Sequence, residues 1–424
     1  MALEDYRDDM LGCSRCSACK WIPFNQVKSW RFARGCPSIE RFSFQAYSGS
    51  GRMVIGLSTI EGRSTLNEDV TDIIYRCQMC GLCDTACKVY REDIDLMEVM
   101  LELRARCVEE GMLVIEHMVT MDALKMEGNM MGEPAAARGD WAAGLDLRDI
   151  NLEGADVMFH AGCRSSFDPD LRETIRGAVR LIQATGAQVA IAGSAESCCG
   201  GRAYEIGYRG DAANFADDML SRVKASRADL LVTACADCYA AFNYLYPLMG
   251  RELPCRVMHL TRFLAEALPG NALPLHREVP LTVTYHDPCH LGRMGEPFAG
   301  RWTGSKLERP ARFKRMGRKG EYEAPRRLLG AIPGLRLVEM ERIREYSWCC
   351  GAGGGVLEAY PDFAGWTAGE RVEEAMSTGA GAIATSCPWC EHVLKAAVGR
   401  MGVPLQVFDV SDLVLMSAGI LVPA

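Results

Sequence analysis

No run of about twenty apolar residues, the length a membrane-crossing helix requires, occurs in this 424-residue sequence. The opening MALEDYRDDM is acidic and lacks the apolar stretch of a secretory signal. Positive charge is also in short supply. The 47 Lys and Arg face 55 Asp and Glu, a net charge of −8, and a nucleic-acid partner is not expected because a phosphate backbone needs a basic surface. No dinucleotide fingerprint occurs either: the glycines of residues 351–355 follow a cysteine pair directly and lack the G-x-G-x-x-G setting. These absences predict a cytoplasmic protein that meets the inner face of a membrane only through a partner. The apolar tail, residues 413–424, is too short to span and follows Asp409 and Asp412, so a docked terminal helix is expected there.

What the sequence does contain is cysteine, 20 residues of it, in a chain that is 49% hydrophobic and 24% charged. That composition suits a globular protein of two or three domains. Without a secretory signal, so many cysteines point to metal binding or redox chemistry rather than to a disulfide framework.

Eight cysteines form two dense runs near the N-terminus: Cys13, Cys16, Cys19 and Cys36, then Cys77, Cys80, Cys83 and Cys87. Rows of C-x2-C-x2-C let a tight loop reach three corners of an iron–sulfur cubane before a distant fourth cysteine closes it. In two-cluster ferredoxins the fourth cysteine serves the other cluster. One [4Fe–4S] cluster is therefore expected on Cys13, Cys16, Cys19 and Cys87, and a second on Cys77, Cys80, Cys83 and Cys36. Paired C-x-x-C motifs also make zinc sites, but two rows of three favour iron. Two departures from the usual pattern stand out: 16 residues separate Cys19 from Cys36, and Lys88 rather than proline follows Cys87. After these runs, Ile94, Met97, Leu101 and Leu103 recur at helical spacing with charges on the opposite side.

The rest of the chain repeats itself. Apolar strands lead to Cys163 and to Cys289. CCG follows at Cys198-Cys199-Gly200 and at Cys349-Cys350-Gly351, and each half then runs an apolar strand into C-x-x-C, Cys235 and Cys238, then Cys387 and Cys390. Strands alternating with helices argue for parallel α/β units, with the cysteines at the carboxyl edge where open sheets bind ligands. Five thiols per half exceed the four of a simple cubane. One CCG could be a vicinal disulfide or a pair of core thiols; two, each followed by C-x-x-C, point to a duplicated cluster-binding lobe.

With YHDPCHLGR around Cys289, SWCCGAGGG around Cys350 and SCPWC at Cys390, the chain resembles the CCG-domain iron–sulfur oxidoreductases. Within that family it is similar to the heterodisulfide reductase component that fuses a ferredoxin-like part to two CCG lobes, and to related components of class II benzoyl-CoA reductase complexes. The resemblance implies an α+β multidomain fold: a helical ferredoxin-like domain with two cubane clusters (1–125), a linker (126–152) and two duplicated α/β CCG lobes with parallel strands (153–275 and 276–424). It implies a noncubane [4Fe–4S] cluster on each five-cysteine set, with the ten cysteines acting catalytically as cluster ligands. It further implies an oxidoreductase subunit of a larger electron-transfer complex, partnered by flavin or iron–sulfur subunits, with a heterodisulfide-reductase-like site between the lobes. The alternative is an electron relay with no substrate of its own.

Other features weigh less. Residues 301–319 hold eight Lys or Arg against one Glu, either a solvated insertion or a docking surface for an acidic partner. His160, His286, His290 and His392 adjoin cluster cysteines and are structural partners or proton donors. Asp287 is expected to cap a turn before Pro288, and Cys107 and Cys255 to be buried thiols.

Overall fold

The computed structural model describes residues 2–91, 94–270, 272–298, 301–302, 307–308 and 315–420. Its N-terminal part is helical. Ser48 caps the helix Gly49–Ile60 by accepting from the Gly51 N–H at 3.0 Å, and Asn67 caps Glu68–Tyr75 by accepting from Val70 at 2.9 Å.

The helix expected from the periodicity of Ile94, Met97, Leu101 and Leu103 runs from Leu96 to Glu109, among strong helix formers. Its charged face is not solvated, however. Glu98, Glu102 and Arg104 are buried together with Met97, Leu101 and Leu103. The reason is that the opposite side docks on the rest of the protein. Glu98 accepts from the Tyr244 hydroxyl, Glu102 pairs with Arg209 at 2.8 Å, and Arg104 donates to the carbonyls of Cys77 and Gly354 at 2.6 Å and of Glu205 at 3.0 Å. One arginine thus joins three distant segments of the chain.

The two halves that follow are open parallel sheets. The first has β1 (Arg148–Asp149), β2 (Val157–His160), β3 (Val189–Ile191), β4 (Leu230–Thr233) and β5 (Arg256–His259) in the order β1-β3-β2-β4-β5. In the second, β6 (Thr282–Tyr285) is followed by a short antiparallel pair, β7 (Arg301–Trp302) and β8 (Leu307–Glu308), and then by β9 (Arg336–Leu337), β10 (Ala382–Thr385) and β11 (Gln406–Asp409). The sheet order is β9-β6-β10-β11. Apart from β1 the two orders coincide strand for strand. The inner strands are buried on both faces, as parallel sheets covered by helices require.

The lobes face each other with reciprocal contacts. The helix after β2 (Arg172–Ala184) packs on the helix after β11 (Val410–Ala418), and the helix after β5 (Leu260–Ala267) packs on the helix after β6 (Glu323–Ala331). Each pair joins one position in one lobe to the other position in its copy, which is the signature of a pseudo-two-fold axis. Apolar side chains from both lobes form one continuous core there, including Val179, Leu264, Leu328 and Leu413. The terminal helix is docked as expected, with Leu413 and Val414 buried and Asp409 accepting from Ser411 N–H at 2.7 Å.

Residues 126–152 do more than connect. β1 pairs with β3, Trp141 is buried, and Arg176 donates to the carbonyls of Trp141 and Ala143 at 2.8 Å, so this stretch is packed on the first lobe. In the basic stretch 301–319, Lys306, Arg309, Arg312 and Lys314 lie outside the described residues. Arg315 is not part of a solvated surface: it is buried 3.7 Å from Asp84 and 3.5 Å from Glu98, over the Tyr244 ring.

Replacing Arg104 by methionine should lower stability by about 3 kcal/mol, because three buried carbonyls lose their charged donor. Arg7→Met, which removes only an exposed pair with Glu61, should cost about 1 kcal/mol or less. Urea unfolding midpoints of the two variants check the difference.

Candidate redox centres

The chain turns sharply at each cysteine motif. Gly162, at φ +78°, follows β2, and a Cβ there would sit 3.1 Å from Cys238 Sγ. Only glycine lets the Cys163 loop pass this close to the C-x-x-C of the same lobe. The glycines of both CCG motifs also have positive φ, +73° at Gly200 and +106° at Gly351. In each, the glycine N–H points back at the first sulfur of the pair, Cys198 at 3.4 Å and Cys349 at 3.3 Å. The C-x-x-C motifs open the helices Ala236–Ala240 and Pro388–Met401, whose N-terminal dipoles favour thiolates.

These turns bring the sulfurs together. In the first lobe Cys163, Cys198, Cys199, Cys238 and Cys235 neighbour one another in that order, each within hydrogen-bonding reach of the next. In the second, Cys387 adjoins Cys390, Cys390 lies 3.2 Å from Cys350, and Cys350 adjoins Cys349, next to Cys289. The two sets come together where Cys235 neighbours Cys387. These are the equivalent first cysteines of the two C-x-x-C motifs, so the contact lies at the pseudo-two-fold axis. At its other end the file of sulfurs continues into the N-terminal part, where Cys80 contacts Cys349.

The N-terminal cysteines fall into two groups. Cys36, Cys77, Cys80 and Cys83 line one closed cavity with Gly49 and Arg52, while Cys87 neighbours Cys13, Cys16 and Cys19. The long loop between Cys19 and Cys36 is folded back on itself. Trp21 and Arg34 form an antiparallel bridge, and Gly35 N–H donates to Lys20 carbonyl at 2.9 Å, which returns Cys36 to the cavity. Burial pushes the Cys36 thiol up to about 12, and burial with Asp84 nearby takes Cys87 up to about 12. Such crowded thiolates suit a cationic centre that draws off their charge. Convergent sulfurs in dry sites are the donor set iron–sulfur clusters use.

The four expected histidines divide. His290 Nδ1 lies 3.3 Å from Cys289 Sγ while its other ring nitrogen meets Glu205 at 2.5 Å, and Asp237 is 3.5 Å away. His286 faces other sulfurs of the same lobe: one of its ring nitrogens and the sulfurs of Cys350 and Cys390 lie within 4.8 Å of one another, close enough to hold one metal ion. Arg371 Nε donates to His286 Nδ1 at 3.0 Å. His392 instead meets Asp168 at 3.2 Å, and His160, 3.6 Å from Glu196, is buried with neither ring nitrogen hydrogen-bonded among the described residues.

Asp287 is not a turn cap. It takes both arms of Arg326, at 2.6 and 2.9 Å, and the Arg344 N–H at 2.8 Å. Cys107 is fully buried, whereas Cys255 is only half-buried.

Several contributors carry little or no signal in the sequence. Arg138 lies 3.7 Å from Cys163 Sγ and is held by Glu196 at 2.9 Å. Arg202 links Glu205 and Asp237 at 3.4 and 3.1 Å, and burial pushes the Asp237 carboxyl up to about 7. Asp237 sits inside the C-x-x-C and could have been singled out; Arg138 and Arg202 are marked by nothing beyond being arginines.

Residues 9–90 match the 4Fe-4S dicluster domain family, and residues 157–243 and 313–395 match the cysteine-rich CCG domain family. The chain thus combines a 4Fe-4S dicluster domain with two CCG domains and is a 4Fe–4S-binding redox subunit. Among its relatives is a component of the dihydromethanophenazine:CoB–CoM heterodisulfide reductase of Methanosarcina mazei, 28% identical over 96% of this chain and 94% of that protein. A component of the fumarate reductase (CoM/CoB) of Methanothermobacter marburgensis is 26% identical over 98% of this chain and 74% of its own length. A probable iron-sulfur-binding oxidoreductase of Bacillus subtilis, FadF, is 26% identical over 96% of this chain and 54% of its own length. Among the described residues no helix is long and apolar enough to cross a membrane.

One support of the site is open to titration. His117 contacts the Gly355 carbonyl at 2.9 Å in the glycine loop after the second CCG, and burial pushes its pKa down to about 4 from 6.5. As pH falls, the unfolded chain binds this proton first, so the contribution is intact above the unfolded value and is lost towards the folded one. Stability should fall by about 2 kcal/mol from this group between about pH 7 and about pH 5. Chemical denaturation of the wild type and of His117→Asn at both pH values should show a steeper loss in the wild type.

Proposed function

We propose that this chain carries four [4Fe–4S] clusters and, within a larger redox complex, exchanges electrons with a thiol disulfide bound between its two lobes. The observation that carries this reading is the meeting of Cys235 and Cys387 at the pseudo-two-fold axis. It offers two equivalent thiol-rich sites to the two equivalent ends of an S–S bond. Reduction of that bond takes two electrons and two protons and releases two thiols.

The ligand sets on this reading are Cys13, Cys16, Cys19 and Cys87 for one cubane, and Cys36, Cys77, Cys80 and Cys83 for the other. The five cysteines of each lobe would hold a noncubane cluster. When bound, such clusters supply one-electron steps that a disulfide alone cannot make. The chain's own residues do the rest. Glu205 and Asp237 from the first lobe orient His290 of the second so that Nδ1 faces Cys289 Sγ. Arg202 and Arg371 place positive charge beside both carboxylates and His286.

The contact of Cys80 with Cys349 supports an order in which electrons pass from the N-terminal part to the second lobe first. Two relatives belong to reductases whose names include CoM and CoB, which supports a disulfide of two small thiols as the substrate class. Flavin or iron–sulfur subunits are the partners this route calls for, and any tie to a membrane would run through one of them.

Anaerobically reconstituted protein should hold about sixteen irons per chain. Viologen-reduced protein should be reoxidised by the mixed disulfide of coenzymes M and B. Cys235→Ser and Cys387→Ser should each slow that step by about tenfold or more, with iron at the other sites retained. Zinc in place of iron would sink the cluster assignment. No reoxidation by any disulfide, with cluster spectra indifferent to added thiol, would sink the substrate.

A further inference from the structure

The loop between Cys19 and Cys36 is longer than cluster binding needs, and its composition is one-sided. Residues 10–39 contain five Lys or Arg and no Asp or Glu, in a chain whose net charge is −8. Arg31 is bonded to Glu370 and Glu373, and Arg34 to Glu40. Arg15, Lys20 and Lys28 have no carboxylate partner among the described residues; Arg15 and Lys28 are exposed and Lys20 is partly so. The same loop lifts large apolar groups into solvent. Trp30 is 76% exposed and Phe24 68%, with Tyr90 exposed nearby. Trp21, Ile22, Phe24 and Tyr90 line an open cavity of about 390 Å³ whose wall includes Cys16.

Cys16 is the one cysteine that is exposed among the 20, all of which are described. The ten cysteines of the lobes are all buried. Electron transfer between proteins falls off steeply with distance, so a cluster reaches a partner only where it nears the surface. Large apolar side chains exposed on the same loop as unpaired positive charge are the form of a transient protein contact. On a protein of opposite overall sign, such a patch also selects where an acidic partner lands.

We infer that the Cys19–Cys36 loop is the docking collar for an acidic redox protein, seated with an apolar contact on Phe24 and Trp30 and exchanging electrons at the Cys16 edge. This rests on placing a cluster at Cys13, Cys16, Cys19 and Cys87. An acidic protein is favoured over a small aromatic carrier because Lys28 and Trp30 do not line the cavity yet share the loop's charge and exposure.

The test uses the full reconstituted chain and a photoreduced, acidic plant-type ferredoxin as probe, with electron transfer followed by stopped flow. In the wild type the rate should fall steeply with added salt. Lys20→Glu with Lys28→Glu should lower the low-salt rate about tenfold and flatten the salt dependence. Trp30→Ala alone should lower it several-fold, which keeps the test valid if the charge variant folds poorly. Iron content and the dithionite-reduced EPR spectrum should not change. Wild-type rates in the charge and Trp30 variants would overturn the collar, as would a loss confined to reduced flavin mononucleotide, which would mark a small-molecule site. A wild-type chain lacking the EPR signal of a cluster at Cys13, Cys16, Cys19 and Cys87 would instead defeat the cluster assignment beneath it.

Discussion

Sulfur has to meet sulfur across three parts of one chain, and the rest of the architecture follows from that demand. Thiols in dry surroundings are costly to ionise alone, so they are gathered into sets that a metal centre can neutralise together. The sets then have to be neighbours for an electron to move among them. Cys80 beside Cys349 and Cys235 beside Cys387 are the two places where the sulfurs of one part adjoin those of the next.

Holding those joints takes rigid, directional bonds, and buried arginine supplies them. Arg104 ties the N-terminal helix to both lobes, Arg293 reaches from the Cys289 loop to the Cys80 carbonyl, and Arg342 donates across to Arg34 carbonyl. Each reads backbone oxygens through a planar fork, which a lysine could not do. The charges of Arg104 and Arg293 also lie beside thiols, Cys77 for the first and Cys80 and Cys289 for the second, so one residue type serves packing and electrostatics at once. Duplication supplies the rest: two copies of one lobe, joined by two reciprocal helix pairs, bring equivalent cysteines to a common axis.

Much of this was legible in the residues. Strand, Cys, strand, CCG, strand, C-x-x-C recurs at matching places because each cysteine must follow a strand to reach the sheet's carboxyl edge, and both sheets have that order. Less legible was the polar side of Leu96–Glu109. Helical periodicity marks an apolar stripe but is silent on whether charges opposite it meet water or another part of the protein. Asp287 misled for a related reason: the residue before a proline suggests a turn, while its partner Arg326 is 39 positions away. Arg315, one of a basic run, is drawn inward by Asp84 and Glu98, and charge counted along a sequence does not reveal that.

The spacing of the cysteines by itself pointed to 4Fe–4S binding and the duplication, and the alternation of strands with helices to parallel-sheet lobes, because cluster geometry and strand period impose local patterns. Only the tertiary structure decided which sulfurs are neighbours across lobes and which histidines face them. It also decided that the extra loop leaves Cys16 open beside exposed Phe24 and Trp30. Those are matters of how whole elements pack, and packing is settled between residues that are far apart in the chain.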